Sequence, residues 1–233
     1  MKTIGLIGGV TWLSTIEYYR EINRLVAERL GGCHSARMVI HSVDFAEHLA
    51  IQERGWPGVA DELADAARGL VAAGADFLVI AANTLHRVAD EVEAAAGRPV
   101  LHIADATARA IHARGQKTVG LLGTRFTMGE AFYRRRLSER HGIRVLVPAP
   151  EDCRTIDAII YDELAHGRFE NPARDACVSV IDRLTAAGAE GVILGCTELP
   201  LLVRPADTPA VLFDTLTIHT AAAADRALGV DLE

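Results

Sequence analysis

Four cysteines, nine histidines and a scatter of threonines and asparagines carry most of the acid–base and nucleophilic potential of this chain. Cys196 is the best placed of them. It stands in VILGCTELP, at the end of an apolar run that reads as a buried strand and ahead of a turn or helix start. Backbone N–H groups at such a point stabilise negative charge, so a thiolate is expected there. The competing reading is a small buried hydrophobe, the commonest state of a free cysteine. Gly195 permits close backbone approach, Thr197 offers a hydroxyl and an amide, and Glu198 follows; these neighbours favour chemistry. Asn83-Thr84, in AANTLHR, end another apolar run, where polar groups suit a small carboxylate. A helix N-cap would use the same residue types, and a cap also helps make an anion site.

Two strand-to-helix turns add further groups. Gly8-Gly9-Val10-Thr11 reads as an ordinary tight turn that brings Gly9 near a ligand, and Gly123-Thr124-Arg125-Phe126-Thr127 offers Thr124 and Thr127. Neither has G-x-G-x-x-G spacing, so no dinucleotide is inferred. Asp44, Gln52 and Arg54 follow the second strand and either reach a site or lie in a solvated loop. Cys33, Cys153 and Cys177 have no supporting motif and read as structural. His34, His41, His86, His102, His166 and His219 are scattered without H-E-x-x-H spacing, so no metal site is expected.

The elements that must position these groups alternate. Thr3–Ile7, Met38–Val43, Phe77–Ala82 and Val100–Ile103 read as strands. Ile16–Leu30, with apolar residues at Ile16, Tyr19, Ile22, Val26 and Leu30, reads as a helix stopped by Gly31-Gly32. Val59–Ala73, Leu85–Ala95 and Ala106–Arg114 read as further helices. Buried-looking strands alternating with helices imply an α/β chain with parallel sheets.

The sequence also repeats itself. Lys2-Thr3-Ile4-Gly5-Leu6-Ile7-Gly8 matches Lys117-Thr118-Val119-Gly120-Leu121-Leu122-Gly123. Ala73-Gly74-Ala75-Asp76 matches Ala187-Gly188-Ala189-Glu190, and the strands after them align without a gap. Pro99-Val100-Leu101 sits beside Pro209-Ala210-Val211 in the same order and at nearly the same offset. The chain therefore reads as a duplicated α/β unit. The expected architecture is two pseudo-symmetric Rossmann-like subdomains, each a parallel sheet flanked by helices. The first spans residues 1–114, with the segment 214–233 packing back onto it, and the second spans 115–213. Ligands of open α/β sheets sit beyond the carboxyl ends of the strands, so the site is expected in a cleft between the halves. The repeat pairs Ala82 with Cys196 and Asn83 with Thr197.

Composition narrows the partners. Of 233 residues, 50% are hydrophobic and 24% charged, a globular mixture. The net charge of −7 builds no basic surface for nucleic acid or an anionic membrane. The opening MKTIGLIGG enters a strand-and-turn pattern without the longer apolar region of a signal peptide, and no apolar run reaches the roughly 18 residues of a membrane span. A cytoplasmic protein with free thiols is expected.

At KTIGLIGG, at Asn83-Thr84 with His86, at LLGT (Leu121–Thr124) and at GCTE (Gly195–Glu198), the sequence resembles the cofactor-independent aspartate/glutamate racemase superfamily. HSVDF, LHIADAT and LLGTRFTM look most like its broad-specificity or L-aspartate/L-glutamate-specific branch. The resemblance implies an isomerase that uses no pyridoxal phosphate or metal, takes a small amino-acid substrate, and forms a homodimer. It implies two acid/base groups, usually cysteines, on opposite faces of the substrate Cα, with strand-end amides and hydroxyls around the carboxylate. Cys196 stands at one catalytic position and Ala82 at the other, where the family usually has Cys and some close members Thr. Asn83, Thr84, Thr124, Thr127, Thr197 and Gly9 are the expected binding groups, with Gln52, Arg54 or Arg125 reading the substrate side chain.

Alanine cannot carry a proton, and three explanations stay open. The alanine was introduced to disable the enzyme; it is natural, with water or Thr84 serving that face; or the protein does one-base chemistry. The arylmalonate decarboxylases of the superfamily also keep only the second cysteine. The resemblance thus implies a racemase scaffold with impaired or one-sided activity. The alternatives are a decarboxylase-like enzyme using Cys196, or a non-catalytic amino-acid or dicarboxylate-binding protein.

Overall fold

The computed structural model describes residues 1–230. The chain divides into two compact units, residues 1–102 with the chain from His219 onward, and Ile103–Ile218. Each unit is a parallel sheet flanked by helices, the α/β architecture that the alternating pattern implies. Among the described residues no helix is long and apolar enough to cross a membrane.

In the first unit, strands β1 (Ile4–Gly8), β2 (Met38–Ser42) and β3 (Phe77–Ile80) form a sheet of order β2-β1-β3. Central β1 is buried along its whole length. In the second unit, β4 (Thr118–Gly123), β5 (Arg144–Leu146), β6 (Val192–Gly195) and β7 (Leu212–Asp214) run in the order β5-β4-β6-β7. The repeated segments occupy the same places in both sheets: Ile4 is opposite Phe77 in one, Gly120 opposite Val192 in the other.

The helix-to-strand turn of the repeat is built alike in both units. Gly74 and Gly188 close the helices at φ +98° and +99°, a conformation that favours glycine. The acidic residue two positions on then ties down the first strand. Asp76 accepts the Thr3 N–H at 2.6 Å and returns its own N–H to the Thr3 carbonyl at 2.8 Å. Glu190 accepts the Lys117 and Thr118 N–H groups, both at 2.7 Å, and donates its own to the Thr118 carbonyl at 2.8 Å. These two bonds hold the Glu190 carboxyl below its usual range.

Three elements differ from the sequence reading. Val100–Ile103 is no strand: Leu78 and Val100 make one parallel bridge, and a helix already begins at Ile103. In the second unit the corresponding segment continues into β7. The stretch after β2 is not a loop but the helix Phe45–Arg54, whose N-cap Asp44 accepts the N–H groups of Ala46 and Glu47. Leu85–Ala95 opens as a 3-10 turn, Thr84–Val88, before the α-helix Ala89–Ala96.

The helix α1 (Trp12–Leu30) forms where the spacing places it, but its buried side is Ser14, Thr15, Tyr18, Ile22 and Val26. Ile16, Tyr19 and Leu30, expected on the core stripe, are exposed. Hydroxyls explain the rotation. Thr15 accepts the Gly9 N–H at 2.8 Å and donates to the Thr11 carbonyl at 3.0 Å, so that face serves the end of β1.

Candidate active site

In the first unit, β3 delivers Ala81, Ala82 and Asn83, all buried, to its carboxyl end. Asn83 begins the 3-10 turn without capping it through its side chain, and Thr84 is half-buried. His86 sits one turn on and donates Nδ1–H to the Ala82 carbonyl at 2.9 Å; a carbonyl only accepts, which fixes the tautomer. The His86 ring packs on His102 at 4.6 Å and on His219 at 5.6 Å between centroids. His219 in turn donates Nε2–H to the Leu101 carbonyl at 2.7 Å and accepts the Tyr18 hydroxyl at Nδ1, 2.8 Å away. The short segment that presents Ala82 is therefore held from behind by buried imidazoles. Gly9 follows β1 with its N–H engaged by Thr15, and a Cβ there would lie 2.3 Å from the Val43 carbonyl oxygen. Gln52 lies half-buried on Phe45–Arg54, and Arg54 is exposed in its last turn.

In the second unit, β6 ends at Gly195 and presents Cys196, Thr197 and Glu198, each buried. The Cys196 thiol donates to Glu198 Oε2 at 3.0 Å, and the Thr197 hydroxyl donates to the same oxygen at 3.0 Å. Burial first, and then the Glu198 charge and this hydrogen bond, push the Cys196 thiol well above its ordinary range. The backbone amides of Glu198 and Leu199 act the other way, as the sequence reading expected, but are outweighed. The thiolate that the strand-end amides alone would favour is thus opposed by the rest of its surroundings.

Around β4 the second turn closes tightly. A Cβ on Gly123 would lie 2.8 Å from the Gly195 carbonyl oxygen, and one on Gly195 2.7 Å from that of Leu122, so the two strand ends approach as only glycines allow. Thr124 caps the helix Arg125–Gly129 by accepting the Thr127 N–H at 3.3 Å, and the two hydroxyls lie 3.3 Å apart. Arg125 is committed to Asp157, by its N–H at 2.6 Å and its guanidinium at 3.2 Å. Its guanidinium also lies 5.6 Å from the centre of the Tyr161 ring. Burial, then the Asp157 charge, pushes the Tyr161 phenol up to about 12; Cys196 and Glu198 add to the rise. Tyr161 was not among the sequence candidates, because only the tertiary fold brings it into the electrostatic reach of Cys196.

The structure thus brings Cys196, Thr197, Thr124 and Thr127 to the strand ends of one unit, and Ala82, Asn83, Thr84 and Gly9 to those of the other. The remaining cysteines are unlike Cys196. Cys33 is exposed, Cys153 half-buried, and Cys177 is a core residue whose thiol burial pushes up to about 12. Among the described residues no three His, Cys, Asp or Glu side chains are grouped to hold a metal ion.

The Asp/Glu/hydantoin racemase family profile matches residues 7–223. The chain belongs to this family. A crystal structure of a Yersinia pestis protein, provisionally described as an Asp/Glu racemase, is 51% identical, covers 98% of this chain and 100% of that one, and superposes with a TM-score of 0.91. An aspartate racemase homologue from Pyrococcus horikoshii OT3 is 38% identical over 98% of this chain and 100% of its own, with a TM-score of 0.84. A glutamate racemase of Synechococcus sp. (strain CC9605) is 31% identical over 128 residues, 54% of this chain. That match spans 45% of the cyanobacterial protein, less than half its length.

Proposed function

We propose that this member of the racemase family acts at the Cα–H bond of a small acidic amino acid, aspartate or glutamate, with Cys196 as its one thiol acid/base. The observation that carries this reading is the buried Cys196–Glu198 hydrogen bond. A thiol held protonated is a proton donor. With Glu198 Oε2 at 3.0 Å it also has a place to leave its proton, so the sulfur can take one from Cα. In abstraction the Sγ proton passes to Glu198 and the α-proton to Sγ; in delivery both transfers reverse. The α-proton is far less acidic than any thiol, so most of the barrier falls to donors around the developing carbanion. Thr124, Thr127, Thr197, Asn83, Thr84 and the strand-end amides, Gly9 among them, are the groups proposed for that role, and Gln52 for the side chain. Ala82 holds no proton at the position repeat-related to Cys196, so exchange without efficient inversion is the expected activity.

Incubating each enantiomer of aspartate and glutamate in D2O, with the Cα proton followed by NMR, tests this. One enantiomer should lose its α-proton with little inversion. Efficient racemisation would refute the role given to Ala82. Binding without exchange of either enantiomer would favour a silent binding protein, and CO2 release from an arylmalonate a decarboxylase.

A further inference from the structure

The stretch 134–144 concentrates positive charge in an acidic chain. It carries five arginines against Glu139 alone, whereas the whole chain stands at −7. Two of the arginines are already offset. Arg136 is bonded to Asp105 at 2.7 and 2.6 Å, and Arg135 to Glu139 at 3.1 Å. Arg134 and Arg144 instead line a cavity of about 360 Å³ on the second unit, together with Ser138, Gly142, Ile143 and Val145. Among the described residues neither of these two guanidinium groups meets a carboxylate. Arg134 donates Nη2–H to the Gly129 carbonyl at 3.1 Å, and its Nε–H is buried without an acceptor. Arg144 is exposed.

A widened helix and an outer strand make the cavity. The helix Ala131–Arg135 runs on as a π turn, Arg136–Arg140, and such turns gather at functional sites. Arg134 and Ser138, four apart, stand on one face of it. Gly142, at φ +63°, then turns the chain into β5, the outer strand of its sheet. The Arg144 N–H bonds to the Lys117 carbonyl at 2.8 Å, so the alternation along a parallel strand turns the N–H and C=O of Val145 away from β4, to the free edge.

We propose that this cavity is a binding site for a phosphate group, free or carried by a small organic molecule. Charge chooses the ligand. Two guanidinium groups without carboxylates match the roughly −1.5 to −2 of a phosphate monoester at neutral pH, whereas a carboxylate brings a single charge. The arginine fork pairs with two phosphate oxygens at once. The Ser138 hydroxyl, now donating to the Arg135 carbonyl at 3.2 Å, can rotate to serve a third. The volume leaves room for more than the phosphate, since pockets for whole small molecules begin at about 300 Å³. The outward N–H and C=O of Val145 suit the hydroxyls of such a body.

Amide 1H–15N spectra of the wild-type protein, titrated at low ionic strength with inorganic phosphate and separately with glucose 6-phosphate, should show saturable shifts gathered at residues 138–146. Arg134→Gln and Arg144→Gln should each weaken binding by about tenfold or more. Ser138→Glu, which sets a carboxylate in the cavity, should abolish it. Arg68→Gln, at an exposed position of the other unit, should leave it unchanged. Saturation at a lower concentration of glucose 6-phosphate than of inorganic phosphate would identify an organic phosphate as the ligand, and equal saturation free phosphate; either supports the site. No saturable shift with either probe, shifts confined to the strand ends at Thr124 and Cys196, or binding that survives Arg144→Gln and Ser138→Glu would overturn the proposal. Both of these positions are exposed, so the test stands even if Arg134→Gln does not fold. None of these readouts depends on catalytic activity.

Discussion

Replacing Glu198 by Gln should change Cys196 in two opposite directions. The carboxylate lies 3.0 Å from Sγ, and both residues are buried. Two unit charges at that separation repel by about 5 kcal/mol at an effective dielectric near 20. Glu198→Gln removes this penalty on the thiolate. It leaves the larger burial effect, and the amides of Glu198 and Leu199 that favour the anion, in place. If relaxation cancels half of the repulsion, about 2.5 kcal/mol remains, which is between one and two orders of magnitude in thiolate population. Alkylation of Cys196 by a small haloacetamide, followed by peptide mass spectrometry to separate it from Cys33, Cys153 and Cys177, should therefore quicken about 10- to 100-fold at neutral pH, with its midpoint moved to lower pH. Substrate α-proton exchange should fall in the same variant, because the group that takes the thiol proton has gone. Faster alkylation together with slower exchange is the signature. An unchanged or slower alkylation would refute the electrostatic account of Cys196, and undiminished exchange would refute Glu198 as proton acceptor.

Three further outcomes follow from particular contacts. Ala82→Cys should introduce a second proton carrier and raise racemisation by about 10²-fold or more relative to one-sided exchange, read by polarimetry or chiral chromatography; no gain would count against the two-face reading. Gly123→Ala forces a Cβ to within 2.8 Å of the Gly195 carbonyl oxygen and should cost about 1–3 kcal/mol, seen as a lower Tm, with loss of exchange from the displaced Cys196 segment. Burial raises the Asp105 carboxyl, but hydrogen bonds from Arg136 (2.7 and 2.6 Å) and His141 (2.9 Å) outweigh it and hold the group below its usual range. That stabilisation is fully present above the unfolded carboxylate's pKa of about 3.9 and is lost as pH falls through the lower folded value. Asp105→Asn should thus cost about 2 kcal/mol at neutral pH, and its Tm should converge on that of the wild type in acid.

Much of this arrangement is written locally. Lys2–Gly8 and Lys117–Gly123 are recognisable as strands from their own residues, and Asp76 and Glu190 recur because each must bind the amides at the start of the strand beside it. Elements set by neighbours were less legible. Phe45–Arg54 has a start signal, Asp44 with Glu47 three residues on, but only a weak apolar stripe to separate it from a loop. Val100 looks like a strand residue, yet the helix at Ile103 leaves room for a single bridge. On α1 the apolar residues suggested the wrong core side, because Ser14 and Thr15 face inward to serve the Gly9 turn. The surroundings of Cys196 were only half legible for a similar reason. Strand-end amides could be anticipated from sequence, but the orientation of the Glu198 carboxylate towards the sulfur could not.

The two units put their glycines and their strand-tying carboxylates in the same places and then part company at the strand ends. At Cys196 a buried thiol is braced by a carboxylate two residues on. At Ala82 the backbone carbonyl is braced by an imidazole four residues on, and the side chain has nothing to give. A duplicated fold supplies acid/base groups in related pairs only while both copies keep them. Here the first unit has the same framework, with the buried His86 bonded to the Ala82 carbonyl, and an alanine at the strand end. A segment held this firmly around an alanine is one in which a single side chain can be exchanged without rebuilding the loop, which is why Ala82→Cys is a fair test of function rather than of folding.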